Sequence, residues 1–141
     1  MNVAVLATPP ADQQPQPSLA IYAIILTLSP AFTAQLARPG VVDAIAEAAR
    51  AGHAPAVEDL VALGQSEDFA RLFVERLDYL LQLRKSGILR AAGPFEDMRE
   101  GMYLCNAAGE REARRVLEDD PLYRAGFIAP EFKVVRWHVA I

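Results

Sequence analysis

One arginine lies inside an apolar helical stripe, which is an unusual place for a permanent charge. Ser66 is a plausible N-cap of a helix that ends at Gly87, and apolar side chains recur along it at helical spacing. At about 100° per residue, Arg76 lies about 20° from Phe69, in the centre of the stripe. An uncompensated buried charge is costly. Two interpretations follow: Arg76 packs its stem in the core and pairs with an acid such as Asp120, or it binds an anionic ligand in a cleft.

Asp120 stands directly before Pro121, late in the sequence. Proline is favoured at the first position of a helix, and aspartate is favoured immediately before it. The pair therefore predicts a short helical turn whose first backbone amides are capped by the Asp120 carboxylate.

Other side chains with chemical potential are few. His138 shares a face with Arg136 in a predicted last strand, and it is either a structural histidine or a proton carrier. Two aromatic hydroxyls, Tyr22 and Tyr103, lie on predicted central strands as core residues that could reach a cleft. The single cysteine, Cys105, is expected to be a small core residue.

No cofactor or metal is predicted. The second histidine, His53, follows Gly52 in a loop and is expected to face solvent. Two isolated histidines and one cysteine lack the spacing of a metal site, and the sequence has no phosphate-cradling glycine loop.

Composition indicates one globular domain without broad attraction to polyanions. The 141 residues include 14 basic and 18 acidic side chains, for a net charge of −4. That balance disfavours nucleic acid and anionic lipid as partners. No apolar run reaches the roughly 18 residues needed to span a bilayer, and the start of the chain lacks secretory features. We expect a cytoplasmic protein.

The predicted elements follow one order along the chain: strand, helices, strand, strand, helix, strand. Residues 1–18 are rich in proline and glutamine and predict a flexible or extended arm ahead of a domain over residues 19–141. The predicted strands are 21–28, 88–92, 102–106 and 132–141, and the predicted helices are 41–51, 55–63, 66–87 and 110–118. Gly93-Pro94 is expected to form a turn after the second strand.

This order predicts an α+β domain, the ferredoxin-like βαββαβ fold with a four-stranded antiparallel sheet. Two helices would cover one face of the sheet. The last strand carries an apolar set, Val135, Trp137, Val139 and Ile141, and a mixed set, Val134, Arg136, His138 and Ala140. We expect the apolar set to meet the helices and the mixed set to face the sheet of a second copy in a homodimer.

A combination of short motifs between residues 76 and 126 resembles the YciI (YCII-related) family. The matching residues are Leu77, Tyr79, Leu80, Leu83, Gly87, Leu89, Gly93, Pro94, Gly101, Tyr103, Ala113, Asp120, Pro121, Ala125 and Gly126. The Gly-Pro pair, the helix and the Asp-Pro pair occur in the family's order. Residues 38–64 lie outside this pattern and look like a helical insertion after the first strand.

The resemblance implies a dimer of the α/β-barrel type with a polar cleft, in which a histidine and Asp120 carry acid–base chemistry. A related member is a dehydrochlorinase of a chlorinated hydroxyhydroquinone. Arg76 stands where the family usually has its histidine, and an arginine stays protonated at neutral pH.

Two functional hypotheses follow. The first is a cofactor-independent lyase or isomerase acting on a small anionic ring metabolite. Its catalytic residues would be Asp120 and His138, and its substrate-binding residues would be Arg76, Arg136, Tyr22 and Tyr103. The second is a non-catalytic module that binds a small ligand or a partner and has lost the family's His–Asp pair.

Overall fold

The structure is a computed structural model and describes residues 19–141. The predicted arm, residues 1–18, lies outside the described residues. The strands are β1 (Ala20–Thr27), β2 (Leu89–Pro94), β3 (Glu100–Ala107) and β4 (Lys133–Trp137). The helices are α1 (Pro30–Leu36), α2 (Val41–Arg50), α3 (Val57–Ala62), α4 (Glu67–Lys85), α5 (Glu110–Glu118) and α6 (Pro121–Arg124).

The four strands form one antiparallel sheet in the order β2-β3-β1-β4. With α4 after β1 and α5 after β3, this is the βαββαβ arrangement, so the predicted ferredoxin-like fold is confirmed. Helices α1, α2 and α3 occupy the connection between β1 and α4. β1 and β3 are the central strands, and they carry the residues that the helices bury.

One face of the sheet meets the helices and forms the core. On β1 this face carries Tyr22, Ile24 and Leu26, and on β3 it carries Tyr103 and Cys105, all of which are buried. The prediction that Tyr22, Tyr103 and Cys105 are core residues is therefore confirmed. The alternate residues point to the opposite face, which we call the open face.

The predicted orientation of the last strand is wrong. Val134 pairs with the fully buried Ile24 and packs against the core. Val135 and Trp137 pair with Ala23 and Ile21 on the open face, where they are 44% and 49% exposed. Alternation along a strand separates two sets of side chains, and only the pairing with β1 decides which set meets the helices.

Helix α4 begins where the sequence predicts. The Ser66 hydroxyl accepts a hydrogen bond from the Phe69 amide at 3.3 Å, which confirms the N-cap. The sequence does not predict helix α1, because Ser29-Pro30 is interpreted there only as the end of the strand. Ser29 caps α1 by accepting from the Phe32 amide at 3.2 Å, with Pro30 at the first helical position. Among residues 19–141, the structure contains no helix with the length and hydropathy of a transmembrane span.

The hairpin between β2 and β3 does not turn at Gly93-Pro94, where the sequence predicts a turn. Gly93 and Pro94 are the last two residues of β2, paired with Met102 and Gly101, rather than a turn. The backbone reverses further on, at Met98, whose φ of 60° is the one left-handed non-glycine conformation within residues 19–141. The Met98 carbonyl accepts a hydrogen bond from the Thr33 hydroxyl at 2.7 Å, which ties the hairpin to α1.

Candidate active site

Three polar side chains from three different elements meet inside the core. Arg76 extends from the middle of α4, Tyr103 from the centre of β3, and Asp120 from the N-cap position of α6. Tyr103 is 1% exposed and Asp120 is fully buried, whereas the Arg76 side chain is 12% exposed. Arg76 is therefore the member of this cluster that reaches the surface.

Asp120 is held by both of its carboxylate oxygens. Oδ1 accepts a hydrogen bond from the Leu122 amide at 2.8 Å, which confirms the predicted N-cap. Oδ2 accepts a hydrogen bond from the Tyr103 hydroxyl. These bonds fix the carboxylate and offset the cost of removing it from water.

Arg76 joins the same pair from the other side. Its Nη2 donates to the Tyr103 hydroxyl oxygen at 2.7 Å, and its Nε lies 3.5 Å from Asp120 Oδ2 in an ion pair. The ion pair with Asp120 is the first of the two interpretations of Arg76 given by the sequence. The Arg76 Cζ also lies 5.9 Å from the centroid of the Phe32 ring, within cation–π range.

The guanidinium has unused hydrogen-bonding capacity. Arginine carries five N–H donors. Within residues 19–141, Arg76 donates one hydrogen bond, and its buried Nε–H has no acceptor in hydrogen-bonding geometry. A charged donor in this state favours a ligand or water that supplies further acceptors.

Burial and mutual charge set the protonation of the cluster. Burial acts to lower the pKa of Arg76, but Tyr103 and Asp120 outweigh it, and the net pKa lies above its usual value. Burial also raises the pKa of the Tyr103 hydroxyl, with Arg76 opposing this effect and Asp120 adding to it. Around neutral pH Arg76 is therefore charged, and Tyr103 is a neutral hydroxyl that both donates and accepts.

The other predicted site residues lie apart from this cluster. β4 ends at Trp137, so His138 follows the strand and is exposed. Arg136 pairs with Tyr22 and therefore belongs to the helix side of the edge strand, where it is exposed. Tyr22 is buried on β1, two residues before the strand partner of Tyr103. The structure thus brings together Arg76, Tyr103 and Asp120 but gives His138 and Arg136 no contact with them.

Neither a metal-binding cluster nor a reactive thiol is found among residues 19–141. No group of three or more histidine, cysteine or carboxylate side chains there is placed to hold a metal ion. Burial raises the pKa of the Cys105 thiol to about 11, so this side chain is a protonated core residue.

Phe32 is the site residue that the sequence prediction missed. Its ring is fully buried, stacks on Phe73 with centroids 4.7 Å apart, and faces the Arg76 guanidinium. The signal that could have found it is the Ser29-Pro30 pair, which is typical of a helix start as well as of a strand end.

Comparison with known proteins assigns the family. The YCII-related domain matches residues 37–138. The chain belongs to the YCII-related family. The match confirms the resemblance seen in the sequence, and it spans α2, α3 and the whole Arg76–Tyr103–Asp120 cluster.

No curated protein matches the chain. Among solved structures, the chain is similar to 5-chloro-2-hydroxyhydroquinone dehydrochlorinase from Burkholderia phenoliruptrix, determined in complex with 2,5-dihydroxybenzoquinone. The two share 18% sequence identity over 84% of this chain and 93% of the other, with a TM-score of 0.46.

Proposed function

We propose that this YCII-related protein binds a small anionic ring metabolite at Arg76 and exchanges a proton with it through Tyr103 and Asp120, as a cofactor-independent lyase or isomerase. The observation that carries the proposal is the buried Tyr103 hydroxyl, hydrogen-bonded at once to a guanidinium and a carboxylate. Ionisable groups with environments of this kind concentrate at functional sites.

Arg76 is the group suited to hold the anion. It is charged, it is the most exposed of the three side chains, and most of its N–H donors have no hydrogen-bond partner within residues 19–141. A guanidinium can bind a carboxylate or phenolate through two parallel hydrogen bonds. A ligand at this position would lie next to the Tyr103 hydroxyl, because Arg76 Nη2 already contacts that oxygen.

Tyr103 provides the route for the proton. Asp120 is fully buried and both of its oxygens are engaged, so it does not contact a ligand directly. The Tyr103 hydroxyl can pass its proton to Asp120 Oδ2 while its oxygen accepts a proton from the ligand. Reversal of these two transfers returns a proton to a different atom of the ligand, which completes an isomerisation. In a lyase step the electron pair of the broken C–H bond forms a double bond, the leaving group departs with its bonding electrons, and the proton held by Asp120 passes to the leaving group or to water.

The burial of Asp120 also favours a second candidate function. A carboxylate with no exposed surface and a hydrogen bond at each oxygen is suited to orient Arg76 permanently. In that case the protein binds an anionic ligand without converting it, as a non-catalytic binding module. His138 would have no part in either function unless a partner subunit brought it to the cluster.

Ligand binding is tested by a thermal-shift screen of small ring acids. A ligand present at about 100 times its dissociation constant adds roughly 2.7 kcal/mol to the free energy of unfolding. We expect this gain in the native protein and in Arg71→Gln, a matched control on the exposed face of the same helix. Loss of the gain in Arg76→Gln, with partial recovery in Arg76→Lys, supports the proposed role. A full gain in Arg76→Gln contradicts it.

Turnover separates the two candidate functions. Hydroxylated and chlorinated ring acids and lactones are supplied to the native protein, to Asp120→Asn and to Tyr103→Phe, with circular dichroism as the check on folding. Turnover that is lost in both folded variants supports the lyase or isomerase. Undiminished turnover in Asp120→Asn removes Asp120 from the mechanism, and tight binding without any turnover supports the binding module.

We also propose that the protein is a homodimer joined through the open face of its sheet. This face carries the half-buried Ile21, Ala23 and Ile25 of β1 beside the exposed Val135 and Trp137. Contiguous apolar surface of this kind is typical of an interface. Two sheets packed face to face would bury it in both copies.

A further inference from the structure

A cavity lies between α4, α2 and the edge strand β2. Its volume is about 410 Å³, within the usual range of small-molecule sites. Helix α2 contributes four apolar residues at the spacing i, i+3, i+4 and i+7: Val42, Ile45, Ala46 and Ala49. This face of α2 therefore points into the cavity, and its two alanines leave room beside it.

The opposite wall repeats the same spacing on α4. Leu77, Leu80 and Leu81 line the cavity and are followed one turn later by Arg84. The strand β2 closes the third side with Leu89, and its Arg90 also belongs to the lining. Apolar residues of two helix faces thus line the same cavity.

The charged side chains that line the cavity are both positive. Arg84 and Arg90 are exposed, and neither takes part in an ion pair among the residues the structure describes. The lining residues include no carboxylate. An apolar cavity with two arginines at its rim complements a molecule that has an apolar body and a negatively charged end.

We propose that this cavity, which we call the α2–α4 groove, binds a small amphiphilic carboxylate. Its apolar body lies between the two leucine- and alanine-lined helix faces, and its carboxylate pairs with Arg84 and Arg90. The site is separate from the cluster around Arg76, because Arg76 is not among its lining residues. The proposal is therefore independent of the proposed function.

The test uses octanoate as the probe and amide chemical shifts of the ¹⁵N-labelled full chain as the readout. We expect octanoate to shift the amides of α2 and β2 in a saturable manner, and octanol to bind more weakly. Each arginine should contribute up to about fivefold to the affinity, the upper end for an exposed ion pair. The double variant Arg84→Gln/Arg90→Gln should therefore bind octanoate more than tenfold more weakly and bind octanol as the native protein does.

Two further variants complete the test. Arg111→Gln changes an exposed arginine of α5 and should leave the octanoate affinity unchanged, whereas Ala46→Phe fills the groove and should abolish the α2 response. The proposal is overturned by shifts confined to the open face, or by an affinity that survives loss of both arginines. It is also overturned if affinity falls only in Arg76→Gln, which would place the anion at the other cluster and support the proposed function. Amide shifts in α2 that change on dilution without octanoate would mean that a second copy occupies the groove, which likewise overturns it.

Discussion

Replacement of Arg76 by methionine tests whether the buried cluster acts as a unit. Methionine keeps much of the apolar stem but removes the guanidinium, so Asp120, which is fully buried, loses its cationic partner. Breaking a buried ion pair from one side typically costs 3–5 kcal/mol. Asp120 keeps its hydrogen bonds from Tyr103 and the Leu122 amide, so we expect the lower end, about 3 kcal/mol.

Urea denaturation measures this loss. With a slope of about 2 kcal/mol per molar urea, the midpoint of unfolding should fall by about 1.5 M in Arg76→Met. Arg71→Met is the matched control, because Arg71 pairs with Glu67 on the exposed face of the same helix, and it should leave the midpoint unchanged.

A double-mutant cycle measures the coupling energy between Arg76 and Asp120. The Asp120→Asn variant loses the carboxylate charge but keeps a side-chain oxygen that can accept the cap hydrogen bond from the Leu122 amide. In that background, Arg76→Met should lower the free energy of unfolding by less. We expect a coupling energy of about 1.5–3 kcal/mol between the two positions. A loss below about 1 kcal/mol in Arg76→Met, or strictly additive losses in the double variant, would refute the cluster as a coupled unit.

Three further outcomes follow from the fold. Gly101→Ala places a Cβ 2.8 Å from the Gly93 carbonyl oxygen and should lower the free energy of unfolding by about 1–3 kcal/mol in urea denaturation. The Cβ of Gly93→Ala meets nothing within 4 Å, so that variant should be tolerated, and equal losses of stability in the two variants would contradict the hairpin packing. Because burial raises the pKa of Cys105 from 9.0 to about 11, a thiol reagent at pH 8 should modify the native chain about 100-fold more slowly than the urea-unfolded chain; similar rates would show the thiol to be accessible. Val135→Glu should convert a dimer of the 15.4 kDa chain to monomer in light scattering, while Val61→Glu, equally exposed on α3, should not; a native protein that is monomeric at micromolar concentration would contradict the shared sheet.

Strong local signals predicted most of the fold. The stripe on α4 and its Ser66 cap placed the longest helix to within a residue or two, and the order of the elements was sufficient for the ferredoxin-like topology. α1 was missed because Ser29-Pro30 is compatible with both the end of a strand and the start of a helix. The face of β4 was assigned wrongly because side-chain alternation carries no information about which side the helices cover.

The candidate site was predictable in part. The position of Arg76 on the apolar stripe required a partner, and Asp120 before Pro121 was a visible cap, so the pairing of these two could be inferred. The Tyr103 hydroxyl forms hydrogen bonds with both of them only because β3 has a particular position relative to α4. The sequence of neither element defines that position. His138 lies beyond the last paired residue of β4, and strand ends are poorly defined by alternation alone.

We propose above that Tyr103 and Asp120 exchange a proton with a ligand held by Arg76. The most direct test of this exchange is deuterium incorporation from heavy water into a ring acid selected by the thermal-shift screen, followed by NMR. We expect the native protein to catalyse incorporation at one ligand position, and Tyr103→Phe to bind the same ligand within a fewfold of native affinity without catalysing it. Incorporation at the native rate in folded Tyr103→Phe, or none in the native protein at saturating ligand, would contradict the claim.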